Sequence, residues 1–387
     1  MRNFSSLVII ILATILYSGC QDTPTDAGYD ALPPGDILQI VTLDSRVQPI
    51  AIETRTFRHV MSHQASTFLS LGSADGYQAY ILLRFNIFPD TIGERGIIRS
   101  VKLGLKPAGY GINRAGTFGF TCREITSPWS SSGFTADSIA SLSLAPNIAG
   151  LFQGSVDTNW ISVELDTALG RKWLVQAEDG DTRDILGMLL EPDASTQSIH
   201  AFFSASDINY APQLTIVWED GAIQDTIATN FLDDTYTVSS PPPQPDELYV
   251  QGGLADRVSL SFDITDIPIG SIVNSVEIFV TLDPDRTVKN YRGVDSLLIV
   301  ERLGQEMDSL AGTAALGRFR DTTGVFVFYG KPLIQAVQKW VNRPQLNYGF
   351  IIRSFNEDSD IDRYGLFDSK ADSLLRPAIR ILYTKQL

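Results

Sequence analysis

"APQLTIVW" at residues 211–218 and "RPAIRILY" at 376–383 are nearly the same phrase, each a single β-strand led in by a proline. Working outward from them recovers a longer echo. "AYILLRFNIFPDTIGERGIIRSVKLGL" (79–105) matches "DRVSLSFDITDIPIGSIVNSVEIFVTL" (256–282), aligning Phe85 with Phe262 and Val101 with Val276. The stretch around Trp173 recurs around Trp340, "GMLLEP" from 187 recurs as "GFIIRS" from 349, and "AFFSAS" from 201 as "GLFDSK" from 365. Order is kept while the offset drifts a little, which is the pattern of a duplicated domain with loop insertions.

Within each copy the local pattern is β. Val101, Leu103 and Leu105 alternate with Lys102, Gly104 and Lys106, so period two turns an apolar row inward and a polar row outward. "SVEIFVTL", "WISVELD" and "SLLIVERL" behave alike, and Gly, Pro, Asn and Asp punctuate the short runs. The expected fold class is all-β: two tandem jelly-roll-like antiparallel β-sandwiches, each with one short helix. "KPLIQAVQKWVNR" offers Pro332 where a helix can start, with Leu333, Ile334, Val337, Trp340 and Val341 on one face. "TALGRKWLVQAE", with Leu169 and Trp173, is its weaker counterpart. The proline run "SSPPPQPDE" (239–247) reads as a rigid loop inside the second copy, and the junction falls near "EDGAIQDT" (219–226). The expected division is a leader over 1–20, a tether over 21–35, and domains over 36–219 and 220–387.

These features resemble a family, the DNRLRE-type domain of secreted and surface proteins, which is related to carbohydrate-binding modules. The resemblance rests on the "LLRFNI" strand, the Ile-x-Ser-Val strand after it, the Trp-bearing helix, "AFFSAS" and "GLFDSK", and the closing strand after proline. It covers most of residues 50–384, twice. It implies a β-sandwich with a non-catalytic binding or structural role, and some relatives bind acidic polysaccharides.

Composition bounds the rest. With 44% hydrophobic and 19% charged residues, the 387-residue chain is a globular one. Its formal charge of -15 repels phosphate backbones, so nucleic acid is not an expected partner. The opening "MRNFSSLVIIILATILYSGC" has Arg2, then an apolar run from Leu7 to Tyr17, then Ser18 and Gly19 before Cys20, the pattern of a signal peptide. Small residues before a cysteine resemble a bacterial lipobox, which implies lipidation of Cys20 and anchorage to a membrane through the N-terminal lipid. Tyr17 stands where that pattern usually has an aliphatic residue, and plain cleavage to a secreted protein is the alternative. Gln21 after the cysteine resembles the proteobacterial sorting pattern for the outer membrane. Cys122, in "TFGFTCREI", is then left as a buried small apolar residue.

Chemistry-bearing motifs are few. No Gly-x-Ser-x-Gly elbow and no phosphate-cradling glycine loop occurs, so no enzyme activity is expected. His59 and His63 stand four apart in a stretch that reads as strand and loop, without a third ligand nearby. In "NEDSDIDRYG" the alternate Asp358, Asp360 and Asp362 have a spacing that can wrap oxygens around calcium, the one cofactor the chain suggests; a solvated acidic hairpin is the other reading. Residues 81–124 carry a local excess of basic residues, and outward Lys102 and Lys106 with Arg114 are the candidate grip for an anionic glycan. Trp129, in the polar "SPWSSSGF", is the candidate for stacking on a sugar. The functional expectation is a lipid-anchored envelope protein that binds polysaccharide through tandem domains. The alternative is a structural or assembly component that binds other envelope proteins.

Overall fold

The computed structural model describes residues 38–85, 96–178, 185–244, 247–289 and 296–386. The leader, Cys20 and the tether lie outside them. Among the described residues the fold is all-β, with antiparallel sheets and two short α-helices, one in each half. The first half comprises β3 (Phe68–Ala74), β4 (Tyr77–Phe85), β5 (Ile97–Leu105), β6 (Pro107–Ile112), β7 (Gly119–Glu124), β8 (Gly150–Gln153), β9 (Ile161–Leu165), helix α1 (Thr167–Glu178), β10 (Met188–Pro192), β11 (Ile199–Phe203) and β12 (Gln213–Asp220). The second comprises β14 (Tyr249–Gln251), β15 (Asp256–Phe262), β16 (Ile272–Thr281), β17 (Leu297–Arg302), β18 (Leu310–Leu316), β19 (Arg318–Arg320), β20 (Val325–Tyr329), helix α2 (Lys331–Asn342), β21 (Phe350–Ser354), β22 (Arg363–Gly365) and β23 (Ala378–Gln386). Two segments remain: β1 (Leu38–Asp44) with β2 (Ile52–Arg58) ahead of the first half, and the long β13 (Ile223–Ser239) between the halves.

The duplication is visible in the pairing. β5 lies between β9 and β12 as β16 lies between β20 and β23. β10 joins β4 to β7 as β21 joins β15 to β17. In the first half β10 closes back on β4, so the sheet curls round on itself. In the second half the equivalent sheet opens at Gly317, between β18 and β19, where a Cβ would stand 2.7 Å from the Phe328 ring. Each half encloses its own core: Phe85, Val101, Leu103, Trp173 and Ile216 are buried in one, Phe262, Val276, Ile278, Trp340 and Ile381 in the other. The expected alternation holds, since Val101, Leu103 and Leu105 are fully buried while Lys102 faces solvent. Both helices form where the apolar spacing places them, α1 against β5 and α2 against β16.

The segments before each half pair crosswise. The first part of β13 turns back on β12, and its second part pairs with β4, so the strand that leads into the second half completes the first. β1 pairs with β23 and β2 with β15, so the segment that leads into the first half completes the second. The backbone hydrogen bonding therefore runs across the junction expected near residue 220, in both directions.

Candidate functional site

The outward row of β5 is Lys102 and Gly104, followed by Lys106 just beyond the strand. Antiparallel register sets Glu164 of β9 opposite Lys102 and Ser162 opposite Gly104. Trp160, the residue before β9, therefore arrives beside Lys106 on the same face. Its six-membered ring reaches over Gly104: a Cβ there would sit 3.5 Å from Cε3 and 3.7 Å from Cζ3. Because glycine carries no side chain, the indole rests close to the sheet and still keeps 39% of its surface exposed. On the other flank, Gln213 and Thr215 of β12 pair with Gly104 and Lys102, adding an amide and a hydroxyl to the same surface.

Lys106 donates to the Thr158 carbonyl at 2.6 Å, and its ammonium lies 5.5 Å from the centre of the Tyr210 ring. Tyr210, 41% exposed, packs on Phe203 with centroids 4.9 Å apart, and Phe203 in turn packs on Phe68. The patch is thus a polar sheet face with two accessible aromatic rings, Trp160 and Tyr210, either side of Lys106. Its cations are answered locally: Lys102 pairs with Glu164 at 2.8 Å, and Arg99 pairs with Glu219. Nearby, hydrogen bonds from Asn159 hold the Asp157 carboxyl below the ordinary carboxylate range, so it adds a negative charge. In the second half the place of Gly104 is taken by Phe279, which lies between the guanidinium groups of Arg46 and Arg380. The open aromatic platform belongs to the first half.

The sequence-derived candidates divide. Lys102 and Lys106 share this face, but Arg114 stands past the far end of β6, about 20 Å of strand away. Trp129 is not part of it. The ring is only 9% exposed, its indole N–H donates to the Leu186 carbonyl at 2.7 Å, and Phe134 and Arg84 pack against it. Its polar neighbours in sequence conceal a satellite core of Leu82, Ile125, Phe134 and Leu189 that closes over it. Trp160 and Tyr210 were missed; the signal for Trp160 was a glycine in the outward row of one strand, which only strand pairing connects to the tryptophan before another.

The acidic stretch makes a contact between the halves. Asp358 is exposed, Asp362 is buried, and Asp360 accepts a hydrogen bond from the Asp362 N–H at 3.2 Å. The Tyr236 hydroxyl donates to the Asp358 carbonyl at 3.0 Å and the Tyr110 hydroxyl to the Ser359 carbonyl at 3.2 Å. These backbone oxygens face the first half, and among the described residues no group of three or more His, Cys, Asp or Glu is placed to hold a metal. Asp358, Asp360 and Asp362, the candidate calcium ligands, are thus not gathered as such a group. His59 bonds Asp308 at 2.7 Å while His63 is buried against Tyr236, so the two histidines do not share a ligand position. Cys122 is buried, and burial raises its thiol pKa well above the usual range, as suits an inert core residue.

Chemically the arrangement combines exposed aromatic rings, which can stack on an apolar face, with amide, hydroxyl and ammonium groups, which can hydrogen-bond a polar ligand. No family model matches the chain and no curated protein matches it, so the geometry of this face carries the functional reading.

Proposed function

We propose that the protein is a non-catalytic, lipid-anchored component of a bacterial envelope, built from two jelly-roll-like sandwich modules, that binds glycan on the outer face of the first. The observation that carries this reading is Trp160, held over Gly104 with its ring open to solvent among polar side chains. A pyranose stacked there would meet Gln213, Thr215 and Lys106 at its edge. The pairing of Lys102 with Glu164 and Arg99 with Glu219 favours an uncharged sugar over an anionic one, because an anion would have to displace carboxylates already in place. Anchorage comes from the leader and Cys20, as the resemblance to a lipobox implies.

A glycan array probed with the chain from Gln21 onward tests the reading, followed by calorimetry on any hit. Trp160→Ala is expected to weaken binding at least tenfold, the equivalent of about 1.4 kcal/mol. Trp129→Ala in a folded variant is expected to leave affinity within twofold while lowering stability by about 3 kcal/mol in urea titrations. Equal binding by native protein and the Trp160 variant would remove the site.

A structural role in envelope assembly is the second reading, favoured by a different observation. Leu38 and Ile40 on the edge strand β1 and Ile272 on β16 are apolar and exposed, as a protein-binding edge would require.

A further inference from the structure

The two crosswise closures are chemically alike but tethered differently. β13 is fixed at both ends: Gly221 and Ala222 turn it directly out of β12, and residues 240–248 carry it into β14. It cannot leave the first half without unfolding it. Among the described residues, the β1–β2 segment is joined along the chain to the rest of the body through residues 59–67. Yet it closes the second half over two full registers, Leu38 to Asp44 against β23 and Ile52 to Arg58 against β15.

We propose that this segment is an exchangeable closure, and that the slot it fills between β23 and β15 also accepts the same segment from a second copy of this chain, giving a reciprocally closed pair. The slot is specific for this sequence. Leu43 is buried in the second core, with Val41, Ile50 and Ile52 packed on its margin. Ser45 accepts the Ile379 N–H through its hydroxyl at 2.9 Å. Arg58 grips the fully buried Asp256 through Nε at 2.8 Å and Nη2 at 2.9 Å. A second copy brings every one of these groups in the same register, so closing in trans keeps each of these contacts. A closed pair keeps β23 and β15 covered by β1 and β2, whereas an open segment would expose both strands.

The link is suited to rerouting. Val60, Gln64 and Ala65 are exposed, and Val60 and Met61 border a cavity of about 140 Å³, while His63, on Tyr236, and Ser66 are the buried residues that rerouting would have to release. Nine residues reach at most about 30 Å, enough to span either its own body or a neighbour's. Closure within one chain or between two is then decided by effective concentration, which a short linker sets in the millimolar range. At micromolar concentration the single chain dominates, and the pair grows when copies are crowded or folded together.

The test uses two full-length chains in a Cys20→Ser background, one with Ile40→Cys and one with Thr384→Cys, each with its own affinity tag. Ile40 and Thr384 face each other in the β1–β23 register, within disulfide reach. After unfolding, joint refolding and oxidation, a disulfide-linked species carrying both tags is expected. Its yield should rise with concentration and exceed at least tenfold that of a mismatched pair, Ile40→Cys with Lys370→Cys. A chain carrying both Ile40→Cys and Thr384→Cys, crosslinked within itself, shows that the variants fold in register. Removing exposed Gln64 and Ala65 shortens the link and should move the folded protein from the one-copy to the two-copy position in size-exclusion chromatography. If the two-tag species stays at the mismatched level, or the shortened chain folds and elutes as a single copy, the proposal is overturned.

Discussion

Two tryptophans show how a side chain's surroundings in sequence and in space part company. Trp129 sits among serines in the chain but among Leu82, Phe134 and Leu189 in the fold, while Trp160, just before β9, is left uncovered with its ring lying over Gly104. Asp360 carries a similar lesson about charge. Burial, with the nearby Asp362 charge adding to it, raises its carboxyl to about 8, so in the folded protein it holds its proton through neutrality. In the unfolded chain the same group ionises near 4. Its contribution to stability is therefore complete below about pH 4 and is lost as the pH rises through 8. His63 works in the opposite sense: burial lowers it to about 4, so its contribution is complete above about pH 6.5 and is lost as the pH falls through 4. Asp360→Asn keeps an oxygen for the Asp362 N–H and removes the ionisation. The variant is expected to melt at a higher temperature than native protein at pH 8.5, with the difference shrinking toward pH 4; a lower melting temperature at pH 8.5 would contradict the assignment.

Helix α1 is seated by contact rather than by propensity. Gly170 lies inside it, at a position where alanine would favour the helix by about 1 kcal/mol. A Cβ at that position would stand 2.4 Å from Cγ2 of Val101, a short branched side chain within β5 that has little freedom to move. Overpacking of this kind costs about 1–3 kcal/mol, so crowding outweighs propensity and Gly170→Ala is expected to destabilise the protein. Urea titration reads the sign directly, and a stabilised variant would mean that α1 lifts away from β5 freely. The second helix needs no such glycine: Leu333, Val337, Trp340 and Val341 are all buried, and the Trp340 indole donates to Glu301 at 3.0 Å.

Crosswise closure binds the halves into one cooperative body. β13 completes the first half and continues into the second, β1 and β2 complete the second and continue into the first, and the Tyr110 and Tyr236 hydroxyls bridge to the 358–359 backbone. Losing either half strips strands from the other. Unfolding followed through Trp173 in the first core and through Trp340 in the second, each in a variant whose other four tryptophans are replaced by Phe, is expected to give transitions that coincide after correction for the stability lost to the replacements. Two separated transitions would show that the closures are dispensable. β1, where the described residues begin, thus belongs to the sheet of the second half rather than the first.

Much of this was legible in the chain. The echo of "APQLTIVW" in "RPAIRILY" gave the duplication, because strands with the same inner row must repeat the same apolar spacing. Alternation along "VKLGLK" assigned inner and outer faces, and the Trp-bearing apolar spacing placed both helices. Two things were beyond it. Which tryptophan stays exposed depends on what packs over it from distant segments, and neighbours along the chain do not report that. Which copy a leading strand completes is equally hidden, since duplicated strands carry interchangeable patterns. Only the lengths of the connections and the packing of whole sheets choose between partners that local sequence makes equivalent.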